Sequence, residues 1–198
     1  MNARIIVPHR GLAASKSRLA PVLDAPERER LAQKLLAVVL AVARGACADV
    51  VVITPSAALE PIVSAAGAKL AVQRGMGLNQ GLDQARAEAQ ADGIETLAVL
   101  HGDLPNLTVA DVEALLAAVP APAGVAIAPD RAGSGTNGLA MRPLDAIGFS
   151  FGAGSFAAHR SAAEGAGLPV SLVERPGLAF DLDTPADLAR WLELGDAA

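Results

Sequence analysis

Leu97-Ala-Val-Leu100-His-Gly-Asp103-Leu-Pro105 is the stretch on which the fold turns. Four uninterrupted apolar residues, stopped by a glycine, an acid and a proline, read as a short strand buried on both faces. A strand of that kind belongs to a parallel sheet with helices above and below it. Asp103 then stands just past the carboxyl end of the strand, the edge at which open α/β sheets receive their ligands.

Outward from this strand, the same alternation extends in both directions. Arg4–Val7 reads as a first strand, and Asp24 followed by Pro26 marks the start of a helix reaching about Ala43. Asp49–Thr54 is a second strand. Ser56 can cap a helix ending near Gly67, and Lys69–Val72 is a short third strand. A helix from about Asn79 to Asp92 leads into Thr96–Leu100, and Thr108 caps another to about Val119. The last third is less regular. It holds strands at Val125–Ala128, Val170–Val173 and Leu178–Phe180, an apolar segment at Gly138–Met141, a helix to about Glu164, and a terminal helix begun by Thr184-Pro185 that carries Trp191. Repeated βα units give an α/β fold: one Rossmann-like, mostly parallel sheet flanked by helices, a single unit over residues 1–198.

The chain has 198 residues and 52% hydrophobic content, enough for one sizeable core. A net charge of −5 excludes a general nucleic-acid binder, which needs a basic surface. Cys47 is alone, so no internal disulfide forms, and it reads as structural. No apolar run approaches the ~20 residues of a membrane span, and no leader pattern opens the chain, so a cytoplasmic protein is expected. Exposed apolar surface on an alanine-rich fold makes a homodimer unsurprising.

The acids supply the chemistry. Asp181 and Asp183, two apart after Leu178–Phe180, share one face of an extended segment. With Asp103 they form three carboxylates at one sheet edge, mutually repulsive unless a cation neutralises them. Oxygen-only ligands suit magnesium. After the first strand, Arg10, Lys16 and Arg18 offer counter-charge to phosphates, around a loop that fits neither the Walker A nor the GxGxxG spacing. Gly77 permits close backbone approach to a nucleotide, and Asn79 either caps a helix or reads a base edge. His101 reads as a polar neighbour, not a ligand. Gly135-Thr136-Asn137 and Phe151-Gly152-Ala-Gly154-Ser155-Phe156 are small polar loops, ordinary turns when taken alone, and the second opens a helix. The residues together point to a magnesium-dependent enzyme acting on a nucleotide.

In order, Pro8 with Lys16-Ser17-Arg18-Leu19, Gly77-Leu78-Asn79, Asp103-Leu104-Pro105, Gly135-Thr136-Asn137, Phe151-Gly152-Ala153-Gly154-Ser155-Phe156 and Asp181-Leu182-Asp183-Thr184-Pro185 resemble the 2-phospho-L-lactate and phosphoenolpyruvate guanylyltransferases of coenzyme F-420 biosynthesis. The resemblance runs from about Ile5 to Leu192. It implies a fold of the nucleotide-diphospho-sugar transferase type, related to molybdenum-cofactor guanylyltransferases. It implies magnesium on Asp103, Asp181 and Asp183, and catalytic Lys16 and Arg18. GTP would meet Pro8, Lys16, Gly77 and Asn79, while Thr136, Gly152 and Ser155 would hold a phosphorylated three-carbon acid. His9-Arg10 and Gln73-Arg74 depart from the family pattern.

The expected reaction moves GMP from GTP to the phosphate of 2-phospho-L-lactate, phosphoenolpyruvate or 3-phosphoglycerate. The nearest alternative is a nucleotidyltransferase with a molybdopterin or sugar-phosphate acceptor, against which the absence of a Gly-Gly-x-Ser-x-Arg-Met loop counts. A glycosyltransferase reading of Asp181-x-Asp183 would release a nucleoside diphosphate instead of pyrophosphate. A catalytically dead nucleotide binder is disfavoured by retention of all three acids with Lys16 and Arg18.

Overall fold

A computed structural model describes residues 2–12 and 15–195, side chains of 194 and 195 excepted. Its strands are β1 (Ala3–Pro8), β2 (Val50–Thr54), β3 (Lys69–Val72), β4 (Thr96–Leu100), β5 (Gly124–Pro129), β6 (Thr136–Arg142) and β7 (Val170–Leu172). Its helices are α1 (Ala25–Ala46), α2 (Glu60–Ala65), α3 (Leu78–Ala91), α4 (Val109–Ala117), α5 (Ser155–Gly165), α6 (Pro176–Ala179) and α7 (Pro185–Gly195). No helix among the described residues is long and apolar enough to cross a membrane.

The seven strands form one sheet in the order β3-β2-β1-β4-β6-β5-β7. Every pairing is parallel except those of β6, which runs antiparallel to β4 and β5. The order reverses at β1: the chain steps outward to β2 and β3, then returns to lay β4 on the other side. That switch point opens a crevice above the carboxyl ends of β1 and β4.

Alternating strand residues feed two cores. Ile5, Val7, Val50, Val52, Ala98 and Leu100 pack under α1 and α4, whereas Ile6, Leu97 and Val99 pack with Leu82 and Ala85 of α3 and Ala163 of α5. The helix ends agree with the sequence reading. Asp24 closes a reciprocal cap with Glu27 at the start of α1, and Thr108 does the same with Asp111 at α4. Cys47 is structural, its Sγ donating to the Ala3 carbonyl at 3.1 Å.

Two readings differ: Thr136 and Asn137, expected in a small polar loop, open strand β6. Leu178–Phe180, expected as a strand, lies in and just after the short helix α6, with Pro176 in its first turn. Three apolar residues do not distinguish a strand from one helical turn, and the preceding proline and glycine favour the turn here. A small third core results: Leu19, Leu35 and the fully buried Leu182 meet Leu31, Leu188 and the half-buried Trp191.

Candidate active site

Three segments converge on the crevice. The first follows β1 and turns through Ser17–Leu19; the second follows β4 through His101 and Asp103; the third is the connection from Phe180 to Thr184, between α6 and α7. The Leu182 N–H donates to the Asp103 carbonyl at 3.1 Å, tying the third segment to the second. Leu19 and Leu182 share the third core, tying it to the first. Leu182 is fully buried, Asp183 lines the cleft, and Asp181 lies beside Asn137 and is not among the residues lining it.

Lys16 is the centre of the arrangement. Its ammonium donates to Asp103 Oδ2 at 2.8 Å and to Asp183 Oδ1 at 3.0 Å, with only 6% of the side chain exposed. Arg18 stands 3.6 Å from Asp183. Lys16 also has a left-handed backbone, φ +56°, a conformation that costs a non-glycine residue about 1 kcal/mol. The ion pairs offset that cost and aim the side chain inward. Burial opposes the Lys16 charge, but Asp103 and Asp183 outweigh it and raise its pKa. Burial likewise opposes the Asp103 charge, and Lys16 outweighs it to lower that pKa.

The neutralisation is incomplete. Asp103 Oδ1 is buried with no hydrogen-bond partner. The Asp181 pKa is raised, chiefly by burial and then, against one bond from Asn137 at 3.3 Å, by the charges of Asp103 and Asp183. The unpartnered Asp103 oxygen is a hard donor of the kind a divalent cation takes. Lys16 fills the position between two of the acids, and among the described residues no three His, Cys, Asp or Glu side chains are grouped for metal binding.

The cleft, of about 260 Å³, is lined by Pro8, His9, Lys16, Leu78, Asp103 and Asp183, among others. Arg10, exposed, is at its rim. His9, unremarked in the sequence apart from its departure from the family pattern, faces the cleft. Burial pushes its pKa down to about 4, Asp103 opposing and Lys16 reinforcing. Its Nδ1 accepts the Gly11 N–H at 3.0 Å, so the neutral ring carries its proton on Nε2. His101 also lines the cleft, and its Nε2 is buried and unpartnered.

The expected acceptor residues are not among those lining this cleft. Thr136 and Ser155 are buried and bonded to each other, the Thr136 N–H donating to Ser155 Oγ at 2.9 Å. Thr136 Oγ1 lies 3.0 Å from His159 Nδ1, and His159 Nε2 accepts the Ser150 N–H at 3.0 Å. Nε2 is therefore the bare nitrogen, and Nδ1–H donates to the Thr136 hydroxyl. Gly152, exposed, has φ +137°, a backbone region that favours glycine. Gly77 caps α3 with φ +91°, so Asn79 is not the cap. Both ends of the Asn79 amide bond to Phe151: Oδ1 accepts its N–H at 2.9 Å, and Nδ2 donates to its carbonyl at 3.2 Å. Sequence reasoning missed this pairing because nothing local signals a partner 72 residues away.

The chain matches the family profile described as "Guanylyl transferase CofC like" over residues 3–197. It is 43% identical over 190 residues to the phosphoenolpyruvate guanylyltransferase of Sphaerobacter thermophilus, covering 95% of this chain and 91% of that protein. It is 39% identical to the 3-phospho-D-glycerate guanylyltransferase of Phenylobacterium zucineum, covering 93% and 87%. In fold it is similar to a Desulfovibrio desulfuricans structure provisionally described as a nucleotide-diphospho-sugar transferase, with TM-score 0.77 at 19% identity over 98% of this chain and 87% of that one. The fold type expected from the sequence is the one found.

Proposed function

The chain belongs to the CofC-like guanylyl transferase family, and on that premise we propose that it moves GMP from GTP onto the phosphate of a small phosphorylated three-carbon acid, releasing pyrophosphate. Phosphoenolpyruvate and 3-phosphoglycerate, named for the relatives, and 2-phospho-L-lactate are the candidate acceptors. The product would enter coenzyme F-420 biosynthesis.

The observation that carries the reading is the convergence of Lys16, Arg18, Asp103 and Asp183 on the switch-point crevice. A phosphate monoester, with a second pKa near ~6, is largely dianionic at neutral pH, so its oxygen attacks the α-phosphorus without a general base. The bond to the bridging oxygen breaks as the new P–O bond forms, and pyrophosphate leaves. What remains for the protein is alignment and charge compensation. Lys16, whose pKa its two acids raise, would meet the triphosphate, and the exposed Arg18 would meet the leaving pyrophosphate. His9, neutral, presents a hydrogen-bond donor without adding charge. Magnesium held by Asp103, Asp183 and Asp181 would supply electrostatic compensation between donor and acceptor phosphates. A molybdopterin or sugar-phosphate acceptor is the second reading, and the family match weighs against it.

The test is a panel of the three acids with GTP and with ATP, following pyrophosphate and identifying the product by mass. GTP-dependent capping of at least one acid is expected. Pyrophosphate release with none of them, or equal use of ATP, would overturn the reading.

A further inference from the structure

Asn79 carries more than either role its sequence position implies. It sits in the first turn of α3, beside Leu78 in the cleft wall, yet it spends both ends of its amide on one distant residue. The pair of bonds copies the way one strand residue recognises another: acceptor to N–H, donor to carbonyl. The recognised residue, Phe151, is the entry to the glycine loop that opens α5. Its ring is buried, set edge-on to His159 at 4.7 Å and tilted against His101 at 5.4 Å. His159 meanwhile holds the preceding amide, that of Ser150. Two consecutive backbone amides are thus fixed from two different helices, just before Gly152 turns the chain at φ +137°.

We propose that Asn79 is a positioning residue for the acceptor loop: it clamps the Phe151 backbone and so sets the direction of the Phe151–Gly152 peptide, joining the glycine turn on the nucleotide side to the loop on the acid side. The inference rests on the functional reading above, and it assigns Asn79 to the acid and not to the base. Loss of the clamp raises the KM for the acid, because a loop free to rotate must be ordered anew for each binding event. The KM for GTP is left nearly as it was.

The experiment compares the wild type with Asn79→Ala and Asn79→Asp. The aspartate keeps an acceptor for the Phe151 N–H but sets an oxygen against the Phe151 carbonyl. In both variants the acid KM is expected to rise about tenfold, with the GTP KM within about twofold and the preference for GTP over ATP unchanged. Amide hydrogen exchange in the peptide spanning residues 149–156 is expected to quicken, while exchange in β1 and β4 does not. A raised GTP KM or an eroded base preference, with the acid KM unmoved, would overturn the proposal and make Asn79 a nucleotide reader. If the wild type caps none of the acids, the functional reading fails by itself. Exchange then decides: quickening confined to the 149–156 peptide supports the clamp, and unchanged protection there sinks it. Should the alanine variant not fold, Asn79→Asp carries both readouts.

Discussion

The Lys16 ammonium lies 2.8 Å from Asp103 Oδ2, joining the loop after the first strand to the loop after the fourth across the switch point of the sheet. Asp183 completes the bridge at 3.0 Å. Asp103 and Asp183 are also carboxylates expected to hold a divalent cation, so the charge of Lys16 should set how tightly that cation binds. Lys16→Met is expected to lower stability by about 2 kcal/mol, less than for a fully buried pair because 39% of the Asp183 side chain faces solvent. Magnesium should then raise the melting temperature of the variant more than that of the wild type. Calorimetry with and without magnesium checks this, and an equal shift in both proteins would mean that Lys16 does not set how tightly magnesium binds. Guanylyl transfer should fall by about 100-fold or more even at saturating magnesium, as expected when a charge-stabilising donor is lost.

Gly177→Ala tests the support under the acidic segment. A Cβ there would stand 2.6 Å from the Asn106 carbonyl and against the Asp111 carboxylate. Asp111 is buried, caps α4 and accepts from Arg175 at 2.8 Å. Backbone on one side and a fixed ion pair on the other leave little room to yield, so a loss of about 2–3 kcal/mol is expected. Because α6 leads straight into Asp181 and Asp183, activity at a temperature where the variant is fully folded should also fall. Unfolding in urea, followed by assay of the folded protein, separates the two effects.

How legible was all this in the chain? The strands at 3–8, 50–54 and 96–100 could be read because each is a run that only a doubly covered sheet can bury, whereas the edge strand at 69–72, exposed at both ends, could be read only from its place in the βα alternation. The caps at Asp24 and Thr108 could be read because side-chain capping is local chemistry. Asp103 and Asp183 were legible as partners only through the topology that the strands imply. What the sequence hid is long-range. No local pattern reveals that Lys16 would fill the gap between two of the acids, that Asn79 would bond Phe151, or that Thr136 and Ser155 would bond each other. The turn at Leu178 was misread because one helical turn and one short strand have the same apolar content.

Stability should begin to fall with acidity well above the ordinary carboxylate range. Burial pushes both His159 and His9 down to about 4 from the ordinary 6.5. A folded pKa below the unfolded one means that, between about 4 and 6.5, the unfolded chain binds the protons that the folded chain refuses. Stability is therefore full above 6.5 and declines as the pH drops toward 4. Asp181, its pKa raised, works weakly the other way just above the ordinary carboxylate range. Melting temperatures measured at intervals from pH 7.5 to 4 by calorimetry should show the decline. His159→Gln should be less stable at neutral pH, having lost a fitted bond, yet show a shallower slope. An identical slope in the variant would remove His159 from the account.

Asp187 supports the site without entering the cleft. Its Oδ2 accepts the Thr184 N–H at 2.9 Å, the Thr184 hydroxyl at 2.7 Å and the Asp183 N–H at 3.3 Å, while Oδ1 accepts from Arg131 at 3.0 Å. Burial opposes its charge, but these donors outweigh it and lower its pKa, so its contribution is present above the ordinary carboxylate range and lost as the pH falls through the folded value. Asp187→Ala should cost about 1–2 kcal/mol, the usual worth of a helix cap. The cap also holds the backbone of Asp183, so the variant should transfer GMP about tenfold more slowly while fully folded. A spectroscopic titration with manganese in place of magnesium, by electron paramagnetic resonance, should show weaker binding in step with the rate. Wild-type manganese affinity in Asp187→Ala would confine this residue to capping α7, and the placement of Asp183 would then rest on Lys16 and the third core alone.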